Sequence, residues 1–75
     1  MTAPDPLRLA SDRVAGQLRA AARDLLDGDR ASSDARRTEA GRIFHREAKR
    51  VADATLVRAW EKALADEKAA RKEGG

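Results

Sequence analysis

The sequence predicts an all-α protein, an antiparallel hairpin of two helices over about residues 6–27 and 33–72. Apolar residues recur at helical spacing in both segments, which is typical of helices that bury one face. Gly28 separates the two segments and favours a helix end, because glycine accepts the left-handed conformation that a helix stop requires. Proline is absent after Pro6, so no proline interrupts a second helix.

The first helix is expected to begin at Asp5-Pro6. An aspartate side chain accepts the free amide hydrogens of a first turn, and proline at the first helical position sacrifices no needed donor. The apolar stripe of this helix consists of Leu7, Val14, Leu18, Ala21 and Leu25. Gly16 costs about 1 kcal/mol relative to alanine inside a helix, which indicates either a locally weak helix or the close approach of another backbone.

The second helix is expected to follow a short loop over residues 29–33, with Ser32 or Ser33 as its cap and Asp34 in its first turn. Run without a break to about Lys72, it would be about 60 Å long, against about 33 Å for the first helix. Its apolar positions lie on two lines rotated by about a third of a turn, one through Ala40, Phe44, Ala48, Val51 and Thr55 and the other through Leu56, Trp60, Ala63 and Leu64. One long helix is the preferred interpretation, because no glycine, proline or capping box marks a break near residue 54. A bend or a third helix after residue 54 is the alternative.

The chain is expected to form one small domain over residues 1–75, with flexible ends at 1–4 and 73–75. Cysteine is absent, so no disulfide stabilises it, and more than half of the hydrophobic residues are alanine, which buries little area. The sparse large apolar residues predict a hairpin completed by a protein partner or by homo-oligomerisation. The predicted partner interface comprises Val14, Leu18, Leu25, Phe44, Val51, Leu56, Val57, Trp60 and Leu64.

Catalysis is not expected. The chain has one histidine, no cysteine, no tyrosine and no glycine-rich phosphate loop. His45 is interpreted as a partly exposed helical histidine at the edge of the apolar stripe, and the neighbouring Arg46 and Lys49 oppose a bound cation. We therefore expect no metal, no cofactor and no small-molecule substrate.

The segment 36–50 holds most of the excess positive charge of a chain whose net charge is +3. Its six cations are Arg36, Arg37, Arg42, Arg46, Lys49 and Arg50. Arginine pairs with phosphates and with carboxylates, so these residues predict contact with nucleic acid or with an acidic partner. The competing interpretation is a solvated outer face, partly neutralised by Glu39 and Glu47.

Trp60 is interpreted in two ways, as an interface anchor or as a side chain folded back onto Leu7 or Leu9. The leading functional hypothesis is a non-catalytic protein–protein interaction module or accessory subunit, from a bacterium or phage in view of the excess of arginine over lysine. A small nucleic-acid-binding regulator is the alternative. The sequence lacks a signal peptide and a membrane-spanning run, which predicts a cytoplasmic protein.

Overall fold

Three α-helices make up the part of the chain that the structure, a computed structural model, describes: residues 11–47 and 53–74. They are α1, Asp12–Leu26, α2, Arg30–Glu47, and α3, Asp53–Gly74, and no strand occurs within the described residues. The all-α fold class is confirmed. Among these helices none is long and apolar enough to cross a bilayer.

The start of α1 differs from the expectation. Ser11 is extended (φ −67°, ψ 161°), and its Oγ accepts a hydrogen bond from the amide of Val14 at 3.3 Å. A continuous helix from Pro6 through residue 27 is therefore wrong, because serine followed by Asp12 supplies a cap and a first-turn carboxylate within the expected helix. The predicted start at Asp5-Pro6 lies outside the described residues.

The end of α1 confirms the predicted stop at Gly28. Gly28 has φ of +87°, and its amide donates to the carbonyl of Leu25 at 3.1 Å. The amide of Asp29 donates to the carbonyl of Asp24 at 2.8 Å, which completes a Schellman motif.

The start of α2 corrects the predicted cap. The carboxylate of Asp29, not Ser32 or Ser33, accepts the amide hydrogen of Ser32 at 3.0 Å, and α2 begins at Arg30. Asp34 consequently lies beyond the first turn. The hydroxyl of Ser33 is buried and has no hydrogen-bond partner among the described residues. Asp29 caps α2 because the turn at Gly28 brings its carboxylate to the free amide hydrogens of the first turn of that helix.

The preferred interpretation of one long second helix is wrong, because a separate third helix follows α2. Arg71 of α3 contacts Asp27 at 2.7 Å, and Glu67 contacts Arg23 at 3.0 Å, so the end of α3 lies beside the end of α1. The largest dimension of the molecule is 39 Å, which is too short for a straight helix of about 60 Å. The second apolar line, from Leu56 onward, belongs to this third helix, and the alternative of a third helix is confirmed.

The orientation of the helices follows from the cross-helix ion pairs. Arg13 at the start of α1 meets Glu47 at the end of α2, with 3.8 Å between charged atoms, so these helices form the predicted antiparallel hairpin. The contacts at the end of α3 show that this helix runs parallel to α1. Both α2 and α3 pack against α1, which is the central helix.

One core joins the three helices. α1 contributes Val14, Ala15 and Leu18, α2 contributes Ala40, Ile43 and Phe44, and α3 contributes Ala59 and Ala63. Leu56 and Trp60 of α3 pack against this cluster while remaining partly exposed. Because the fully buried residues of α3 are alanines, α3 contributes little buried area for its length.

Candidate interaction site

The core encloses only some of the large apolar side chains. Among the described residues, Val14, Leu18, Ile43 and Phe44 are buried. Leu25, Leu26, Leu56, Trp60 and Leu64 are partly buried. Val57 is 55% exposed, the most open large hydrophobic side chain in this part of the molecule. The incompletely covered apolar area therefore lies mostly on α3.

Three of these side chains form a continuous line along α3. Val57, Trp60 and Leu64 are spaced by three and four residues, which places them on one side of a helix. We call this line the α3 stripe. It lies beside the alanines that pack inward, and Trp60 is the residue of the stripe that packs against the core.

Arg37 of α2 covers part of the stripe. Its guanidinium carbon lies 4.5 Å from the centre of the Trp60 ring, within the range of a cation–π contact. Trp60 thus packs against the core below and Arg37 above. The predicted alternative partners of Trp60, Leu7 and Leu9, lie outside the described residues.

The predicted partner interface separates into two groups. Val14, Leu18 and Phe44 lie in the core of the chain itself, with 1–2% of their surface exposed, so they offer no area to a second molecule in this arrangement. Leu25, Leu56, Val57, Trp60 and Leu64 retain exposed surface. Val51 lies outside the described residues.

The predicted basic residues also separate. Arg36 donates to Asp24 of α1 at 2.7 Å, and Arg37 turns toward Trp60. Arg42 and Arg46 lie on the outer side of α2, opposite the buried Phe44, and Lys49 and Arg50 are outside the described residues. The structure therefore does not bring the four described arginines together on one face.

The outer arginines are weakly constrained. Arg42 has Glu39 at 3.8 Å as an ion-pair partner, and no ion pair of Arg46 is found within the described residues. Both side chains remain exposed. They are one turn apart, which leaves two cations side by side and open to a partner.

Arg71 binds the end of α1. It donates to the Asp27 carboxylate at 2.7 Å and to the carbonyl of Arg23 at 3.4 Å, and the hydrogen bond to Asp27 raises its pKa. A cation at this position faces the negative end of the α1 dipole. With the Arg23–Glu67 pair, it positions the last turns of α3, and with them the distal end of the stripe.

Neither His45 nor the clefts suggest a chemical site. His45 is exposed and meets the edge of the Phe44 ring, with 5.8 Å between ring centres. An open cleft of about 350 Å³ between α1 and α2 is lined by side chains such as Asp12, Arg13 and Glu39, with Gly16 at its floor. Within the described residues no cluster of three or more histidines and carboxylates could hold a metal ion.

Two residues that the sequence analysis did not select border the stripe. Glu61 and Lys68 are exposed, and both fall on the outward side of Val57 and Leu64. Their spacing of seven residues, two helical turns, was a signal present in the sequence. The spacing alone did not show that the two residues border an exposed apolar line, because that depends on which side of α3 is covered.

Comparison with family models, with curated proteins and with solved structures finds no match to this chain.

Proposed function

We propose that this protein is a non-catalytic protein–protein interaction module, an accessory subunit that binds its partner through the α3 stripe. The observation that supports the proposal is the exposure of Val57, at the start of a line of incompletely buried apolar side chains. A partner that covers this line would remove apolar surface from water, which contributes about 25 cal/mol for each Å² buried.

The packing of Trp60 also supports the proposed interface. Trp60 is held between the core and Arg37, so its ring is already ordered before a partner arrives. Ordering a side chain on binding costs about 0.5–1.5 kcal/mol, and a preordered anchor avoids that cost. Tryptophan and arginine are also the residue types most enriched at the energetic centres of interfaces.

The test compares three immobilised full-length baits in a lysate of the cells that make the protein. They are the wild type, Val57→Asp on the stripe, and Ala69→Asp, which places the same charge on the exposed side of α3 away from the stripe. A protein retained by the wild type and Ala69→Asp but lost from Val57→Asp is the expected result. That protein is then purified and titrated against the three variants, whose helix content is matched by circular dichroism.

Two results would overturn the proposal. One is a partner held equally by Val57→Asp and the wild type, since the stripe would then carry no binding. The other is a wild-type chain that captures no protein and stays monomeric at high concentration.

A second candidate function, nucleic-acid binding, is favoured by Arg42 and Arg46 side by side on the outer face of α2. Such a site predicts affinity for phosphate backbones that falls steeply as salt rises. Fluorescence anisotropy with duplex and single strands tests it, using Arg42→Gln with Arg46→Gln against the control Arg58→Gln on α3. Absence of binding at low salt would exclude this function.

A further inference from the structure

We propose that the partner of the outer face of α3 is a second copy of this chain, bound antiparallel across a two-fold axis near Leu64 and Ala65. The proposal rests on the proposed function and names its partner. It depends on four residues that we call the outer α3 face: Val57, Glu61, Leu64 and Lys68.

These four residues share one side of the helix. Their spacings of four, three and four residues keep them within about a third of the helix circumference. Val57, Glu61 and Lys68 are exposed, and Leu64 is partly buried. The face is thus an apolar line with one carboxylate and one ammonium along its outward edge.

The order of the two charges selects the orientation of the partner. Glu61 and Lys68 lie seven residues apart, about 10.5 Å along the axis, with their midpoint between Leu64 and Ala65. An antiparallel second copy centred on that midpoint places each Glu61 beside the Lys68 of the other copy. A parallel copy in register would place each Glu61 beside another Glu61, which is repulsive.

The same axis also places Leu64, the central apolar residue of the face, beside its own copy, whereas Val57 lies opposite Lys72 of the other copy. It brings Leu64 of one copy against Leu64 of the other, and Ala65 is an exposed small residue that allows the helices to approach closely. Neither Glu61 nor Lys68 has an ion-pair partner within the described residues, so the pairing across the axis replaces no internal contact. A self-complementary surface of this kind is what a two-fold dimer requires.

The size of the face sets the strength of the dimer. α3 has 22 residues and a length of about 33 Å, so two such helices packed side by side bury an area at the lower end of specific interfaces, about 1,200 Å² in total. Association is therefore reversible, and the mass is expected to rise with concentration.

Sedimentation velocity over a range of concentrations at low salt tests the proposal with the full chain and three charge variants. Glu61→Lys alone and Lys68→Glu alone each set two like-charge contacts across the axis, and each is expected to weaken dimerisation about tenfold. The double variant Glu61→Lys with Lys68→Glu restores both pairs and the wild-type affinity. High salt is expected to reduce the differences between the variants.

The two single variants also separate pairing from net charge. The wild type carries +3, so replacing one glutamate by lysine gives +5 and replacing one lysine by glutamate gives +1. If net charge alone governed association, the two variants would move in opposite directions. The proposal requires both to weaken it, and opposite shifts, or a double variant no better than the single ones, would overturn it.

Leu64→Asp is expected to give a monomer at every concentration, because it sets two carboxylates against each other at the axis, while Ala69→Asp still dimerises. Circular dichroism checks that all variants retain their helices. A wild type that remains monomeric yet captures another protein through Val57 would overturn self-association and leave the proposed function standing.

Discussion

Gly16 and Gly28 have opposite roles although both belong to the α1 region. Among the described residues, a Cβ atom on Gly16 would meet no atom of another element within 4 Å, so no backbone in this part of the chain requires the glycine. Within the described residues the close-approach alternative is therefore excluded, and Gly16 is a weak point in an exposed helix interior. Gly28 adopts φ of +87°, where a side chain is strained.

We expect Gly16→Ala to stabilise the protein by about 1 kcal/mol, because alanine loses less backbone freedom on folding and no atom opposes its methyl group. For a domain of this size the melting temperature should rise by about 4–8 °C. Gly28→Ala is the matched control and should lower it by a similar amount. Thermal melts followed by circular dichroism measure both, and a fall in melting temperature for Gly16→Ala would contradict the packing described for α1.

At the scale of the elements, Asp29 joins α1 to α2. It donates its amide to the Schellman motif and accepts the Ser32 amide with its carboxylate. That backbone hydrogen bond, followed by one from the Ser32 side chain, lowers the pKa of Asp29 below its usual value. A lowered pKa in the folded state means that the ionised form stabilises the fold above the unfolded-state pKa, about 3.9, and that this stability is lost as the pH falls through the folded-state pKa.

The pH dependence of the wild type and two variants tests this cap. At neutral pH, Asp29→Ala should melt several degrees below the wild type, whereas Asp29→Asn, which retains a capping oxygen, should melt close to it. Below about pH 4 the gap between wild type and Asp29→Ala should narrow, because the wild type loses its carboxylate. A gap that stays constant down to the folded-state pKa would show that ionisation of Asp29 does not contribute.

The elements also show how far the sequence could predict the fold. Gly28 was a reliable stop, because its conformational requirement is local. The cap of α2 was not predictable, because Asp29, Ser32 and Ser33, three residues able to cap a helix, lie within five residues, and only the geometry of the preceding turn selects Asp29. The break before α3 was visible as two rotated apolar lines, but deciding between one long helix and a third helix depended on the contact of Arg71 with Asp27.

The candidate site was predictable in part, by residue type but not by exposure. Val57, Trp60 and Leu64 stood out by residue type, since large apolar side chains are rare in this chain. Their exposure was not predictable, because it depends on which side of α3 faces α1. That side is defined by Ala59 and Ala63, and in a chain so rich in alanine two buried alanines leave no readable periodic signal.

At the scale of the whole molecule, the single core joins all three helices through very few large side chains. Phe44, Leu18 and Val14 are the largest apolar residues that are fully buried. α1 lies between the other two helices, so α2 and α3 depend on the same central surface. We infer that the described helices unfold as one cooperative unit.

Phe44→Ala tests this inference, because Phe44 is the largest of the fully buried side chains. Truncating a buried phenylalanine to alanine costs about 3–5 kcal/mol, against a total stability of about 4–11 kcal/mol for a chain of this length. The variant should lose most of its folded population or melt with a much lower midpoint, while Phe44→Leu, which retains most of the volume, should be milder. Trp60 fluorescence reports α3 and circular dichroism reports all the helices, and the two signals should change together along a urea titration. If Trp60 kept its native emission after the helical signal of Phe44→Ala had fallen, α3 would be packed independently of the α1–α2 hairpin and the single-unit inference would be wrong.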